Sequence, residues 1–148
     1  MRAAIEQARQ GGTPFGCVIV KKDAVVVSAC NTVAQDLDVT AHAEINALRK
    51  LHAQKKRIDL SGYVLYTTCE PCPMCMSAIL YAGITTVVYG ASITQARQYV
   101  PQIDIPSHDV TAKSPQKTLI IPGMLGPECL HLFEEFPVQK SQVASRKS

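Results

Sequence analysis

Two short stretches of the sequence contain residue types that could bind a metal ion and move a proton. They are residues 40–44, TAHAE, and residues 71–75, PCPMC. One imidazole and two thiolates from these stretches would make three protein ligands. Structural zinc sites are normally closed by four protein ligands, whereas catalytic zinc sites keep the fourth position for water. The two stretches therefore predict a catalytic zinc site with His42, Cys72 and Cys75 as its ligands.

Glu44 lies two residues after the predicted histidine ligand, where its carboxylate could handle the protons of that water. Zinc lowers the pKa of bound water from about 15.7 toward roughly 7, so hydroxide is available at neutral pH. In the middle of a helix, residues at i and i+2 do not share a face. His42 and Glu44 can still reach one point if they lie in the first turn. The spacing therefore predicts that both lie at a helix N-terminus.

Six cysteines also raise the alternatives of disulfide and redox chemistry. No N-terminal stretch has the pattern of a secretory signal, so we expect a cytoplasmic protein. A Cys-x-x-Cys pair in that setting more often binds metal or is redox-active than forms a structural bridge. A thioredoxin-like motif would leave His42 and Glu44 unexplained, which favours the metal site. We expect buried, unreactive thiols at Cys17, Cys30 and Cys129 and a packing role for Cys69.

Length, composition and charge favour one globular domain without a nucleic-acid-binding surface. The chain has 148 residues, of which 47% are hydrophobic and 18% charged. Lys140, Arg146 and Lys147 lie in residues 137–148, which lack periodicity and are predicted to be a disordered tail. In the predicted domain, residues 1–136, the other 12 of the 15 basic residues balance the 12 acidic ones. A domain that grips a phosphate backbone usually has a basic excess.

The longest uncharged stretch, residues 71–96, does not predict a membrane span. Prolines, glycines and threonines interrupt it, which is typical of a buried centre rather than of a transmembrane helix. We therefore expect no membrane partner.

Helix and strand patterns alternate along the chain. Residues 21–23 are predicted to form a hairpin turn, residues 31–39 are irregular, and Thr40 is predicted to cap the second helix. The predicted helices are residues 3–9, 40–53, 72–82, 93–99 and 127–136, and the predicted strands are residues 16–20, 24–29, 63–67, 84–89 and 118–121. The strand–helix–strand order across residues 63–89 indicates a parallel crossover. The fold class is α/β, a sheet of about five strands with helices on both faces.

This layout places both motifs at helix N-termini, where free backbone N–H groups favour anionic thiolates. The helix over residues 72–82 is apolar nearly all round, which predicts burial against the sheet and either another helix or a second subunit. Together with residues 93–99 it carries more non-polar surface than one sheet face would cover. We therefore expect a homodimer.

The pattern H-x-E followed by P-C-x-x-C resembles the zinc deaminases of the cytidine-deaminase-like family. The resemblance covers roughly residues 14–136 and rests on Asn31, residues 42–44, residues 70–72 and Cys75. It implies a three-layer α/β/α fold with a mixed sheet, zinc on His42, Cys72 and Cys75, and usually a dimer. It also implies that Glu44 shuttles protons and that Asn31 and the Ala43 backbone hold the substrate base.

The implied reaction is hydrolytic removal of an exocyclic amine as ammonia, without a redox or organic cofactor. Residues 67–75 resemble guanine deaminases, and residues 123–130 resemble tRNA adenosine deaminases more. Residues 91–97 lack the run expected of the tRNA enzymes, and the end of the domain lacks the aromatic residues that close the guanine deaminase pocket. Fungal-type cytosine deaminases are a more distant match. The expected substrate is a free base or small nucleoside.

Among these substrates, a guanine-type purine is favoured, cytosine is an option, and adenosine in tRNA is the alternative. A purine would need a second acid near its other nitrogens, for which Asp104 or Asp109 is the candidate. A zinc-stabilised binding module without chemistry is the alternative from another functional class. Glu44 argues against it, because a structural site has no use for a carboxylate beside an open coordination position.

Overall fold

A five-stranded mixed sheet organises the chain, and a computed structural model describes it for residues 1–138. The strands are β1 Gly16–Lys21, β2 Ala24–Cys30, β3 Val64–Cys69, β4 Thr86–Ala91 and β5 Leu119–Ile121. The helices are α1 Arg2–Gly11, α2 Val33–Asp36, α3 Ala43–Lys55, α4 Pro73–Ala82, α5 Ile93–Ala96, α6 Ser107–Ala112 and α7 Gly126–Glu135. The predicted tail of residues 137–148 lies outside the described residues from position 139 onward.

The sheet has the order β2-β1-β3-β4-β5, and its strand directions confirm the predicted mixed α/β class. β1 is antiparallel to β2 and β3, whereas β3, β4 and β5 run parallel. Lys22 and Asp23 join β1 to β2 with φ of 48° and 63°, the left-handed pair that a two-residue type I′ hairpin needs. The predicted hairpin and the predicted parallel crossover from β3 through α4 to β4 are therefore both present.

Helices cover both faces of the sheet, as predicted. On one face α3 and α4 pack on alternate side chains of the strands, including Ile19, Leu65 and Val87. On the other face α1 and α7 form a second apolar cluster around Phe133. The helix α4 is buried through Met76 and its neighbours, although Tyr81 near its end is 82% exposed. None of the helices in residues 1–138 has the length and apolar character needed to cross a membrane.

The start of α3 corrects the prediction that Thr40 caps this helix. The N-cap is His42, and Thr40 instead belongs to the preceding turn. There the Asp38 carboxylate accepts hydrogen bonds from the Thr40 backbone N–H at 2.8 Å and from its hydroxyl at 2.7 Å. This local turn competes with helix formation. The later start leaves Glu44 in the first helical turn, which is where the motif spacing requires it.

Three short segments also differ from the sequence prediction. The four-residue helix α2 lies inside the stretch predicted to be irregular, and α6 lies in a stretch without a predicted element. The helix predicted for residues 93–99 ends at Ala96. Elements this short have too few residues to show the helical spacing of apolar side chains in the sequence. Tertiary contacts therefore set where they begin and end.

The cysteine predictions hold with one exception. Within the described part of the chain all six cysteines are free thiols, and Cys17, Cys69 and Cys129 are buried. Cys30, predicted to be buried, is only partly so. It is the last residue of the edge strand β2, where one side of the strand has no neighbouring strand to cover it.

Helix α1 approaches β1 so closely that residue 16 has no room for a side chain. A Cβ atom at Gly16 would overlap the carbonyl oxygen of Ala4 and lie 2.6 Å from the backbone nitrogen of Ala8. Both obstacles are backbone atoms of a packed helix, so relief requires the helix to move.

We predict that Gly16→Ala lowers the free energy of unfolding by about 1–3 kcal/mol, because the added methyl group forces the α1 backbone away from the sheet. Urea denaturation followed by circular dichroism measures this loss. Gly126→Ala is the matched control, since its Cβ would lie 3.6 Å from the Gly90 carbonyl oxygen, an ordinary contact. It should stay within about 1 kcal/mol of the wild type. Equal effects of the two substitutions would contradict the packing argument.

Candidate functional site

Two helix N-termini bring the predicted metal ligands together. His42 is the N-cap of α3, and Cys72 is the N-cap of α4, with Pro73 directly after it. Both N-cap residues have extended backbones, and neither side chain caps its own helix. Their side chains are therefore free to face each other across the gap between the two helices. Cys75 lies within the first turn of α4, on the same side as Cys72.

The three side chains have the spacing of a tetrahedral zinc site. His42 Nδ1 lies 3.7 Å from Cys72 Sγ and 3.5 Å from Cys75 Sγ. The three ligand atoms all lie within 4.8 Å of one another. Zinc–sulfur bonds of about 2.3 Å and zinc–nitrogen bonds of about 2.0–2.1 Å at tetrahedral angles put N and S about 3.6 Å apart. The donor set therefore fits zinc, and no fourth His, Cys, Asp or Glu of residues 1–138 joins the group.

The two thiols have opposite pKa shifts because they share a hydrogen bond. Cys75 donates to Cys72, which with the neighbouring His42 lowers the pKa of Cys72 to about 4. The pKa of Cys75 is raised above its ordinary value, chiefly because its thiol donates a hydrogen bond to the Cys72 thiolate and also because it is buried. The pKa of His42 is raised, chiefly by its hydrogen bond to Cys72. An anionic thiolate at a helix N-terminus is the form that binds a metal cation.

Glu44 is a buried carboxylate beside this cluster, with 6% of its surface exposed. Burial raises its pKa, and the nearby Cys72 adds to the effect. Thr67 of β3 donates its hydroxyl hydrogen to Glu44 Oε1 at 2.9 Å. Sequence reasoning missed Thr67, although its position in β3 places it on the same sheet face as Leu65. The hydrogen bond fixes one carboxylate oxygen, and the backbone N–H of Glu44 and the Cys75 thiol also lie within hydrogen-bonding reach of the carboxylate.

Asn46 holds the loop before His42 against the end of β2. Its side-chain N–H groups donate to the carbonyl oxygens of Ala41 at 3.2 Å and Cys30 at 3.0 Å, and to the Thr32 hydroxyl at 2.8 Å. The backbone N–H of Thr32 also donates to Ala41 at 2.9 Å. Asn46 was not predicted, because its three partners come from parts of the chain that only the fold brings together.

The predicted substrate contacts have different surroundings. Asn31 lies in the loop that Asn46 holds, and its Oδ1 accepts a hydrogen bond from Val33 N at 3.1 Å. Ala43 is the first residue of α3, where backbone N–H groups have no partner within the helix. Asp104 and Asp109 are exposed. Asp104 forms an ion pair with Arg97, and an Asp109 carboxylate oxygen lies 2.8 Å from His108 Nε2. None of the hydrogen bonds described for residues 1–138 links either aspartate to the metal ligands.

Comparison with known proteins identifies relatives of this arrangement. Residues 1–91 match the family model of the cytidine and deoxycytidylate deaminase zinc-binding region. The guanine deaminase of Bacillus subtilis is 40% identical over 115 residues, 73% of this chain and 74% of that protein. The probable cytosine deaminase of Schizosaccharomyces pombe is 42% identical over 113 residues, 71% and 68% of the two chains. A tRNA-specific adenosine deaminase of Buchnera aphidicola is 33% identical over 136 residues, 92% and 82%.

Solved structures agree with these relatives in fold. A tRNA:A34 deaminase, studied for A-to-I editing at the wobble position of transfer RNA, superposes with a TM-score of 0.77 at 28% identity. The match covers 89% of this chain and 96% of that one. The guanine deaminase of Nitrosomonas europaea superposes with a TM-score of 0.79 at 22% identity, over 92% and 79% of the two chains. This second match supports the fold alone.

We predict that the purified chain holds about one zinc ion per molecule and that Cys72→Ala loses it, because two protein ligands bind the ion too weakly. The loss should also lower stability, since metal binding contributes to folding free energy. Elemental analysis gives the zinc content, and anomalous scattering at the zinc edge gives the ligand set. Cys30→Ala, at a thiol outside the cluster, is the control and should keep the metal. A fourth protein ligand would contradict the interpretation of a catalytic zinc site, because no position would remain for water.

Proposed function

The chain belongs to the cytidine and deoxycytidylate deaminase zinc-binding family, and on that premise we propose that it deaminates a free nucleobase or small nucleoside. In this proposal His42, Cys72 and Cys75 hold the zinc ion and Glu44 is the catalytic residue. The observation that carries it is one arrangement. Three donor atoms have the spacing of a tetrahedral zinc site, and a buried carboxylate oriented by Thr67 lies beside them.

Zinc, when bound, supplies Lewis acidity and hydroxide at neutral pH. The chain's own contribution to the reaction is proton transfer by Glu44. We propose that Oε2 takes the proton of the attacking water and delivers it to a ring nitrogen of the base. The water oxygen bonds to the ring carbon that carries the exocyclic amine. Glu44 then takes the remaining proton of the new hydroxyl group and passes it to the amine, the C–N bond breaks, ammonia leaves and a carbonyl group remains. Thr67 keeps the carboxylate oriented, so that one oxygen is held while the other exchanges protons.

The proposed substrate contacts are Asn31 and the backbone of Ala43. Ala43 directly follows His42 in the chain. Asn31 is brought near His42 because Asn46 donates hydrogen bonds both to Cys30, next to Asn31, and to Ala41, next to His42. Asp104 remains the candidate second acid for a purine. Its carboxylate pairs with Arg97 on the surface, so contact with substrate would require this ion pair to open.

A guanine-type purine is the substrate we propose first. The guanine deaminase relative and the zero charge balance of residues 1–136 support a small neutral base. Adenosine in tRNA is the second candidate. The tRNA-specific adenosine deaminase of Buchnera aphidicola supports it, because that match extends over 92% of this chain.

An ammonia-release panel on one preparation tests the proposed function. The panel contains guanine, cytosine, adenine, their nucleosides and tRNA, and guanine should react fastest. Fastest reaction with cytosine would keep the reaction class and change the base. Activity on tRNA alone, with affinity that falls steeply with salt, would establish the second candidate instead. No ammonia from any of these substrates would favour a zinc-stabilised binding module and overturn the proposal.

We predict that Glu44→Gln lowers the rate of ammonia release by about 10²–10⁴-fold or more. This range is the usual contribution of general acid–base catalysis. The amide keeps the size of the side chain but cannot take up a proton. Zinc content should be unchanged, because Glu44 is not one of the three ligands. Glu6→Gln, on the exposed face of α1, is the matched control and should keep full activity. If Glu44→Gln kept more than about a tenth of the wild-type rate, another base would have to act.

The expected homodimer and cytoplasmic location stay predictions. Ile58 and Tyr81 are large apolar side chains with 81% and 82% of their surface exposed, and a second copy that covered them would remove this apolar surface from water. Light scattering at micromolar concentration distinguishes the dimer from a monomer.

A further inference from the structure

Glu70 is a second buried carboxylate near the metal ligands, and the proposed mechanism does not use it. It follows β3, two residues before Cys72, and 6% of its surface is exposed. Its Oε2 accepts a hydrogen bond from Ile93 N at 2.9 Å. Its Oε1 accepts from Ser107 N at 2.8 Å and from Ser107 Oγ at 2.9 Å. Both oxygens are therefore occupied by neutral donors.

The two partners of Glu70 are the ends of one segment. Ile93 begins α5, directly after β4, and Ser107 begins α6. Between α5 and α6, residues 101–106 form neither helix nor strand. The middle of this segment exposes two large apolar side chains, Ile103 and Ile105. One carboxylate thus closes the segment at its base, while the residues at its tip have few contacts.

The base of the segment is connected to the helix that begins at the predicted metal ligands. Ser107 starts α6, which packs on α4, and the first turn of α4 carries Cys72 and Cys75. Glu70 is also held to the sheet, because its backbone N–H donates to the Ala91 carbonyl oxygen at 2.7 Å. A shift of the Glu70 side chain would therefore move residues 93–107 relative to the metal ligands.

We propose that Glu70 is a positioning residue that sets residues 93–107 beside the metal centre as a wall of the substrate pocket. This inference rests on the proposed deaminase function. Glu70 acts through the hydrogen bonds to Ile93 and Ser107 and takes no part in proton transfer, since both of its oxygens already accept hydrogen bonds. Asp104, the candidate second acid, lies within the segment that Glu70 holds.

Glu70→Gln is the main test, because it keeps the size of the side chain and replaces one acceptor oxygen with an N–H donor. One of the two backbone N–H groups then loses its partner, and the segment should move. We expect kcat/KM for ammonia release to fall about 10- to 100-fold, the range for a hydrogen bond to a charged group. Most of the loss should appear in KM, because a displaced pocket wall weakens substrate binding. Zinc content should stay at the wild-type value.

Ser107→Ala is the second variant, and it keeps the backbone hydrogen bond while removing the hydroxyl. We expect a smaller rise in KM, about 3- to 10-fold, in a chain that folds as the wild type does. Hydrogen exchange measured by mass spectrometry supplies a readout independent of activity. Residues 93–107 should exchange faster in both variants, and α4 should exchange as before. Glu6→Gln serves as the control for all three measurements.

Two results would overturn the positioning role. One is a fall in kcat at constant KM, and the other is loss of zinc in Glu70→Gln, since either would place Glu70 in the chemistry or in the metal site. If Glu70→Gln does not fold, Ser107→Ala decides by the same criteria. If the wild type releases ammonia from no substrate, the proposed function fails, and hydrogen exchange alone then decides whether Glu70 holds the segment. Unchanged exchange in residues 93–107 of both variants would refute it.

Discussion

The meeting of two helix N-termini is the arrangement on which the rest of the site depends. Free backbone N–H groups and the helix dipole make each N-terminus a favourable place for negative charge. The chain places the thiol of Cys72 at the N-cap of α4 and that of Cys75 within its first turn, and it places His42 at the N-cap of α3, so that the three could hold a metal ion. These groups come from positions 30 or more residues apart. Their meeting therefore depends on the sheet, on which both helices pack.

Two buried glutamates, Glu44 and Glu70, lie near the two helix N-termini and accept hydrogen bonds from different donors. Glu44 and Glu70 are equally inaccessible, and the hydrogen bonds described for both come from neutral donors. Glu44 accepts a hydrogen bond from Thr67 and lies beside the two thiols, which is why we propose that it exchanges protons. Glu70 has three donors, which leave little capacity for chemistry and give it a fixed position. At the same depth of burial, Glu44 faces the predicted metal ligands and Glu70 faces the two ends of residues 93–107, and our proposals assign them different roles on that ground.

The sequence motifs and the helix starts could be predicted from the sequence, whereas the hydrogen bonds between distant residues could not. The two short motifs predicted that His42, Cys72 and Cys75 come together, and their ligand atoms lie within 4.8 Å of one another. The helix start near His42 was also predictable, because it depends on neighbours in the chain. The Thr40 cap was wrong, since the turn at Asp38 competes for the same groups. The hydrogen bonds from Thr67 to Glu44 and from Ser107 to Glu70 join residues 23 and 37 positions apart. Such pairs become visible only once the strand register and helix packing are known.

The closed base of the segment held by Glu70 has a consequence for how this enzyme family can diversify. The two N-caps, Glu44 and the β3–α4–β4 crossover are all contained in residues 1–91, the part that matches the family model. The residues between the two anchor points lie beyond that part. Lengthening a loop whose ends are fixed costs little conformational entropy, because the cost grows only with the logarithm of loop length. Mutation and recombination can therefore change the tip of this loop without disturbing the part of the chain that matches the family model.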